Sequence, residues 1–385
     1  MAGRASFTRR IVEIRIERAP VCDQHRLHYT RRVTQKSPFA TTLGDTSAHG
    51  VHTRARVFSG IQPTGTPHLG NYLGAMRTWR EQVEANTEDT MFCVVDAHAI
   101  TLPYDPKELR ANIDDLVLDL VAIGLDPEKT TLFVQSDVRE HTELAWYLAS
   151  VTPKGDLERM TQFKDKAEGK DFAPTGLFTY PVLMSADILL YKATVVPVGE
   201  DQVQHLELAR ETVRRFNHRF PGPDGKNIFV EPKPRLSPAP RIMGLDGLTK
   251  MSKSKNNTIG LFEDPKPFWD KLKKAYTDPQ RVKLSDPGRP EICNIYTMHK
   301  AMSPKETQDE VVANCTGAKW GCVACKQVLF ENFEKELIPL RTKRQQLSID
   351  KVRQAMGDGA AKARKIAVET MKEVRDVMGL GSLAT

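Results

Sequence analysis

The chain has 385 residues, 40% of them hydrophobic and 27% charged, and no apolar run approaches the length of a membrane span. That length supports two domains, each burying its own core without disulfide staples. The net charge of +7 is not a nucleic-acid footprint in itself: residues Met1 to Arg56 hold eleven Lys and Arg against four acids, leaving 45 basic and 45 acidic residues from Val57 onward. Any RNA-facing surface is therefore a local patch.

The leading segment, residues 1–56, is basic and reads as a disordered extension. Its Arg, Ser and Thr content fits a targeting segment as well, but Val12, Ile14 and Ile16 alternate with Glu13, Arg15 and Glu17, a period of two that no amphipathic transit helix has. From Val57 short apolar runs alternate with helical segments, the pattern of a parallel α/β sheet. Val57 to Ser59, Met91 to Val95, Thr131 to Gln135 and Val195 to Val198 predict strands; Leu69 to Ala85, Lys107 to Ile123 and Val203 to Phe216 predict helices. Pro221 to Pro240, crowded with Pro and Gly, predicts a surface connection. Beyond Pro265 helical periodicity takes over, with Phe330, Phe333 and Leu337, then Ala363, Ala367, Met371, Val374 and Met378 on buried faces. The expected division is residues 57–262 as an α/β domain and 263–385 as a helical one.

Two polar loops carry chemistry. The first strand runs into Gln62-Pro63-Thr64-Gly65-Thr66-Pro67-His68-Leu69-Gly70-Asn71 and then a helix, a turn whose glycines and helix N-terminus suit a phosphate. Lys250-Met251-Ser252-Lys253-Ser254, followed by Lys255, Asn256 and Asn257, places two lysines three apart, where they can surround a polyphosphate. Each alone has a bland counterpart, a packing turn and a solvated basic loop. Their joint occurrence favours nucleotide chemistry.

His68 to Asn71 and Lys250 to Ser254 resemble the two signature sequences of class I aminoacyl-tRNA synthetases, in the right order. Val57 to Gly60, Asp96 to Thr101, Glu158 to Lys164, Thr179 to Tyr191 and Val196 to His205 resemble the tryptophanyl branch, and the likeness extends from Val57 to Leu380. It implies a Rossmann-type catalytic domain with a C-terminal helical anticodon-binding domain, acting as a tryptophan–tRNA ligase. The substrates are ATP with Mg2+, L-tryptophan and tRNA(Trp), the assembly a homodimer. By the same resemblance Gln62, Pro63, Thr64, Gly70 and Asn71 hold ATP from one side. Gly199, Glu200 and Asp201 meet its ribose and adenine, and Ile242 meets the base. Lys250, Met251, Ser252, Lys253 and Ser254 close on the phosphates, with Lys250, Ser252, Lys253, His68 and Asn71 as the catalytic set. His68 departs from the Thr frequent in bacterial tryptophanyl enzymes but matches the wider class. A cytoplasmic, bacterial-type protein is expected, or a mitochondrial or plastid matrix one if residues 1–56 are a targeting segment.

Asp187 is the expected reader of the amino acid. Indole offers one donor and no acceptor, so an ionised carboxylate suits its N–H. An acid in an apolar helical stretch is otherwise a cap or a solvent-facing residue. Phe58, Met184, Val196 and Val198 are expected to form the apolar slot, with His98, Tyr180 and Gln202 near the α-amino and carboxylate groups.

Cys293, Cys315, Cys322 and Cys325 are separated by twenty-one, six and two residues. Four thiols suit a four-cysteine site, either structural Zn2+ or a [4Fe–4S] cluster. Some bacterial tryptophanyl enzymes resembled here carry such a cluster with similar spacing, which favours iron–sulfur over zinc or over four plain thiols. Arg341, Lys343, Arg344, Lys351 and Arg353 form a basic stretch that could meet RNA phosphates, with a solvated helix face as the alternative. The competing functions are a tyrosine–tRNA ligase, a small-molecule nucleotidyltransferase and a non-catalytic paralogue.

Overall fold

The computed structural model describes residues 54–161, 174–236 and 242–381. Strands β1 (Arg56–Ile61), β2 (Asp89–Val94), β3 (Thr131–Val134), β4 (Val195–Val198) and β5 (Lys233–Leu236) form one sheet in the order β3-β2-β1-β4-β5, with every neighbouring pair parallel. Helices cover it. The runs Val57-Phe58 and Met91 to Val94 are buried throughout because a parallel sheet presents both faces to packed helices.

The helix after β1 is built of three consecutive pieces, Leu69–Asn71, a π-helical turn at Tyr72–Met76 and Arg77–Ala85, here together α1. Helix α2 (Pro106–Ala122) starts where sequence chemistry dictates: Asp105 accepts the N–H groups of Lys107 at 2.8 Å and Glu108 at 3.0 Å, and Pro106 occupies the first helical position. It ends at Gly124, whose φ of +113° favours glycine. Then come α3 (Glu140–Ala149), α4 (Thr175–Leu189) and α5 (Val203–Arg219). Beyond the sheet the described structure is helical, as its periodicity predicts: α6 (Pro265–Leu272), α7 (Asn294–Met302), α8 (Lys305–Thr316), α9 (Cys322–Gln346) and α10 (Ile349–Met378).

β5 corrects the reading of Pro221 to Pro240 as connection only. Pro234 lies inside it, which a strand tolerates at the sheet edge, where β5 pairs with β4 alone. Residues 1–53, 162–173, 237–241 and 382–385 lie outside the described residues, and with them nearly all of the expected extension and part of the likeness at Glu158 to Lys164.

The last helix is part of the sheet's core. Ala363, Ala367, Met371 and Val374 are fully buried in the same apolar cluster as Phe133, Leu144 and Tyr191. Helix α10 crosses β3 so closely that a Cβ at Gly359 would lie 2.0 Å from the carbonyl oxygen of Leu132, so only glycine fits there. No helix among the described residues is long and apolar enough to cross a membrane.

Candidate functional site

Chain direction along the sheet reverses between β1 and β4: from β1 the chain moves outward through β2 and β3, then returns to add β4 and β5. Loops leaving the C-terminal ends of those two strands flank a crevice, the place where open α/β sheets take their ligands. The loop after β1 is Gln62 to His68 and the loop after β4 is Gly199 to Gln202, so two separate sequence candidates meet there.

His68 and Asn71 fasten the first loop to α1. The backbone N–H of His68 donates to Asn71 Oδ1 at 3.0 Å, and the N–H of Asn71 donates to His68 Nδ1 at 3.3 Å, a reciprocal cap. Burial, with the charges of Lys253 and Lys250, depresses the His68 pKa to about 4, so the ring is neutral at pH 7. Gly70 has little room: a Cβ there would come 3.0 Å from the His68 ring and 3.2 Å from Met251 Cβ. Pro63 is buried; Gln62 and Thr64 are exposed.

The lysine loop is held against this turn from both sides. Leu69 N–H donates to Ile259 O at 3.0 Å and Leu261 N–H to Pro67 O at 2.9 Å. Met251 is buried and its N–H donates to Ile242 O at 3.3 Å. Asn257, buried, accepts the N–H of Ser252 at 2.8 Å and donates through Nδ2 to Asp246 and Thr249. Ser254 lies in the single helical turn Lys253–Lys255. Lys253 Nζ donates to Thr64 O at 3.0 Å, and Lys250 Nζ stands 4.0 Å from Asp201 Oδ1. The two lysines thus span the crevice between the loops after β1 and β4. Glu200 is exposed, Asp201 accepts from Gln202 Nε2 at 2.9 Å, and a Cβ at Gly199 would crowd Asp201.

Asp187 lies on α4, only 2% exposed. Gln135 Nε2 and His141 Nδ1 donate to its Oδ1 at 2.6 and 2.7 Å, and His98 Nε2 donates to its Oδ2 at 2.8 Å. Burial pushes this carboxyl up. The hydrogen bonds and charges of His141 and His98 outweigh burial and hold it well below the usual carboxylate range. His98 therefore sits on Asp187 itself. Sequence reasoning missed Gln135 and His141, which approach from beyond β3 and from α3; no local motif marks them, because the contact exists only across the fold. Phe58, Val196 and Val198 are buried in the apolar cluster that also holds Ala186 and Ile188, the chain neighbours of Asp187, with Met184 packed against it. Tyr180 hydroxyl pairs with His205 Nε2 at 2.7 Å.

The four cysteines are neighbours in space: Cys293, Cys315 and Cys322 each bear on the acidity of Cys325, whose pKa burial, with those thiols, pushes up to about 12. Arg281 Nη1 donates to Cys315 Sγ at 3.5 Å, and a Cβ at Gly288 would lie 2.3 Å from that sulfur. Among the described residues, however, no three His, Cys, Asp or Glu side chains are grouped as ligands of a metal ion.

The basic stretch is partly engaged within the chain. Arg341 pairs with Glu334, Arg344 with Asp115 and Asp119, and Arg353 with Asp114, so three of its five cations are engaged within the chain. Lys343 and Lys351 are exposed.

Residues 51–337 match the family model described as tRNA synthetases class I (W and Y). The chain belongs to this family. It is 50% identical over 330 residues to the tryptophan–tRNA ligase of Deinococcus radiodurans, covering 84% of this chain and 98% of that protein. The Caldanaerobacter subterraneus tryptophan–tRNA ligase is 46% identical over 331 residues, with the same shares. The crystal structure of Campylobacter jejuni tryptophanyl-tRNA synthetase, complexed with ADP and tryptophan, superposes with a TM-score of 0.75 at 35% identity, covering 84% of this chain and all of that one. A tyrosyl-tRNA synthetase from Archaeoglobus fulgidus superposes with a TM-score of 0.60 at 19% identity, over 76% of this chain and 91% of that one; at that identity it shares the fold alone.

The pairing of Arg344 gives a stability test. Asp119 is fully buried, its Oδ2 has no hydrogen-bond partner among the described residues, and burial, opposed by Arg344, raises its pKa to about 6. Arg344→Ala should cost about 3 kcal/mol at pH 7, because the carboxylate loses its main partner. A pKa raised in the folded state means that protonation favours folding, so the difference from wild type should shrink as pH falls from 7 to 5. Lys343→Ala should leave stability unchanged. Urea unfolding at both pH values reads all three.

Proposed function

We infer that this chain activates L-tryptophan with ATP and transfers it to tRNA(Trp). The observation that carries the reading is the buried, ionised Asp187 carboxylate beside an apolar cluster, at a sheet whose switch point gathers both signature loops. A buried carboxylate that takes donors from Gln135, His141 and His98 can accept one further N–H, and a ring lacking that donor leaves the position unfilled.

The first reaction is attack of the amino-acid carboxylate oxygen on the α-phosphorus of ATP, with cleavage of the bond to the bridging oxygen and departure of pyrophosphate. No protein nucleophile takes part, so the residues act by position and charge. Gln62, Thr64, Gly70 and Asn71 are assigned to one side of ATP with Mg2+, and Gly199 to Asp201 with Ile242 to its nucleoside. The neutral His68 ring accepts the Asn71 N–H through Nδ1, which leaves its proton on Nε2 to donate to a phosphate oxygen. Lys250 and Lys253 add positive charge where the leaving pyrophosphate gains negative charge. In the second reaction a terminal hydroxyl of the tRNA attacks the adenylate carbonyl and AMP leaves.

Residues 57–262 are assigned this chemistry and 263–385 tRNA recognition, with α10 also completing the core of the sheet and exposed Lys343 and Lys351 as the remaining candidates of the basic stretch. A homodimer fits the exposure of Trp146, at 77%. A cytoplasmic setting fits the bacterial relatives.

The reading is tested by ATP–pyrophosphate exchange with each of the twenty amino acids. Tryptophan should be the strong substrate; exchange driven by tyrosine instead would install the tyrosine–tRNA ligase, and no exchange with any would remove the activity.

The [4Fe–4S] reading of Cys293, Cys315, Cys322 and Cys325 rests on their proximity and on the tight fit of Gly288 against Cys315. Either occupant, a [4Fe–4S] cluster or Zn2+, takes four thiolates. Its position in the helical part suggests an architectural use there. Anaerobically purified protein should carry about four irons per chain; stoichiometric zinc would support the alternative, and absence of metal would leave four plain thiols.

A further inference from the structure

We propose that His141, oriented by Tyr191, is a positioning residue for amino-acid selection: with Gln135 it saturates Oδ1 of Asp187 and leaves one open acceptor position, on Oδ2 beside His98, for the N–H of the substrate ring. The proposal rests on the reading of Asp187 as the receptor of that N–H and deepens it.

An ionised carboxylate accepts about four hydrogen bonds. Oδ1 of Asp187 takes two, from Gln135 and His141, and Oδ2 takes one, from His98. The donors are themselves fixed. The Gln135 amide accepts the N–H of Ala97 through Oε1 at 3.1 Å, which turns its Nε2 toward Asp187. His141 Nδ1 faces an atom that only accepts, so it carries the ring proton, and Nε2 meets the Tyr191 hydroxyl at 2.7 Å. Tyr191 is fully buried, and burial pushes its pKa far up, so the hydroxyl keeps its proton and donates. The result is a one-way chain, from Tyr191 O–H to His141 Nε2 and from His141 Nδ1–H to Asp187 Oδ1.

Packing makes this chain stiff. The Tyr191 ring stacks on Phe58 at 5.5 Å between centroids and meets Phe133 edge-on at 5.6 Å, while Phe133 also lies 6.0 Å from the His141 ring. Tyr191 therefore touches both the residue assigned to the wall of the slot, Phe58, and the residue that aims the reader. A carboxylate with its other positions filled can gain only a donor at the open one, which converts a generic buried acid into a directional receptor.

The test uses the full-length chain and ATP–pyrophosphate exchange with L-tryptophan and with 3-benzothienyl-L-alanine, in which sulfur replaces the ring N–H. Wild type should prefer tryptophan strongly. Tyr191→Phe, which keeps the ring and removes only the hydroxyl, and His141→Leu should each cut that preference about tenfold through a raised KM for tryptophan, with the KM for ATP and the rate on the analogue nearly unchanged. His141→Asn, whose amide nitrogen can stand in for Nδ1, should restore part of it. If His141→Leu fails to fold, Tyr191→Phe decides alone. An unchanged preference in Tyr191→Phe, or equal losses on both substrates, overturns the proposal. Absence of preference in the wild type would instead overturn the reading of Asp187, and this proposal with it.

Discussion

The buried carboxylate of Asp187 is the constraint around which the site is arranged. Removing a carboxylate from water costs several kcal/mol unless donors replace the lost hydration. Here replacement comes from three separate parts of the chain: His98 after β2, Gln135 after β3 and His141 on α3. Each is brought in by a parallel strand ending at the same edge of the sheet or by the helix that follows it. The sheet order, and not any local motif, is what makes an ionised acid tolerable beside an apolar core.

The nucleotide side obeys a different logic. Its candidate groups lie largely on loops, several of them, such as Gln62, Thr64, Glu200, Lys250 and Lys253, exposed, and their precision comes from a few buried fasteners. The His68 and Asn71 cap fixes one loop, and Asn257 gathers the lysine loop through the Ser252 backbone N–H and the Thr249 and Asp246 side chains. A Cβ at Gly244 would meet the Asn257 amide at 2.0 Å, so that glycine makes room for the fastener. Burial draws the Lys253 pKa down while Asp119 opposes it, and Asp119 in turn is bound by Arg344 from α9. One lysine of the loop proposed to meet the phosphates is thereby electrostatically linked to the C-terminal helices.

Much of this was legible in the residues. Four strands, three of the helices that follow them (α1, α2 and α5) and the helical second half follow from hydrophobic period, and the two loops declare themselves by glycine, lysine and order. What could not be read is contact across the fold. Gln135 and His141 are ordinary polar residues until β3 and α3 set them against Asp187. Pro234 argues against a strand unless it is known to lie on an edge. Arg344 and Arg353 look like RNA contacts in a one-dimensional charge count; the acidic face of α2, Asp114, Asp115 and Asp119, claims them. The cysteine spacing predicts a site, and the folded chain gathers the thiols without grouping them as ligands of one ion.

Fold, loops and helices thus converge on the contact proposed for selection, an ionised oxygen that would receive a ring N–H. Its most direct test is equilibrium binding of L-tryptophan, without ATP, to wild type and to Asp187→Asn, which keeps size and shape but removes the charge. Loss of a charge-assisted hydrogen bond predicts about 10- to 100-fold weaker binding of tryptophan, with ATP binding unchanged. Equal tryptophan affinity in the two proteins would contradict the account.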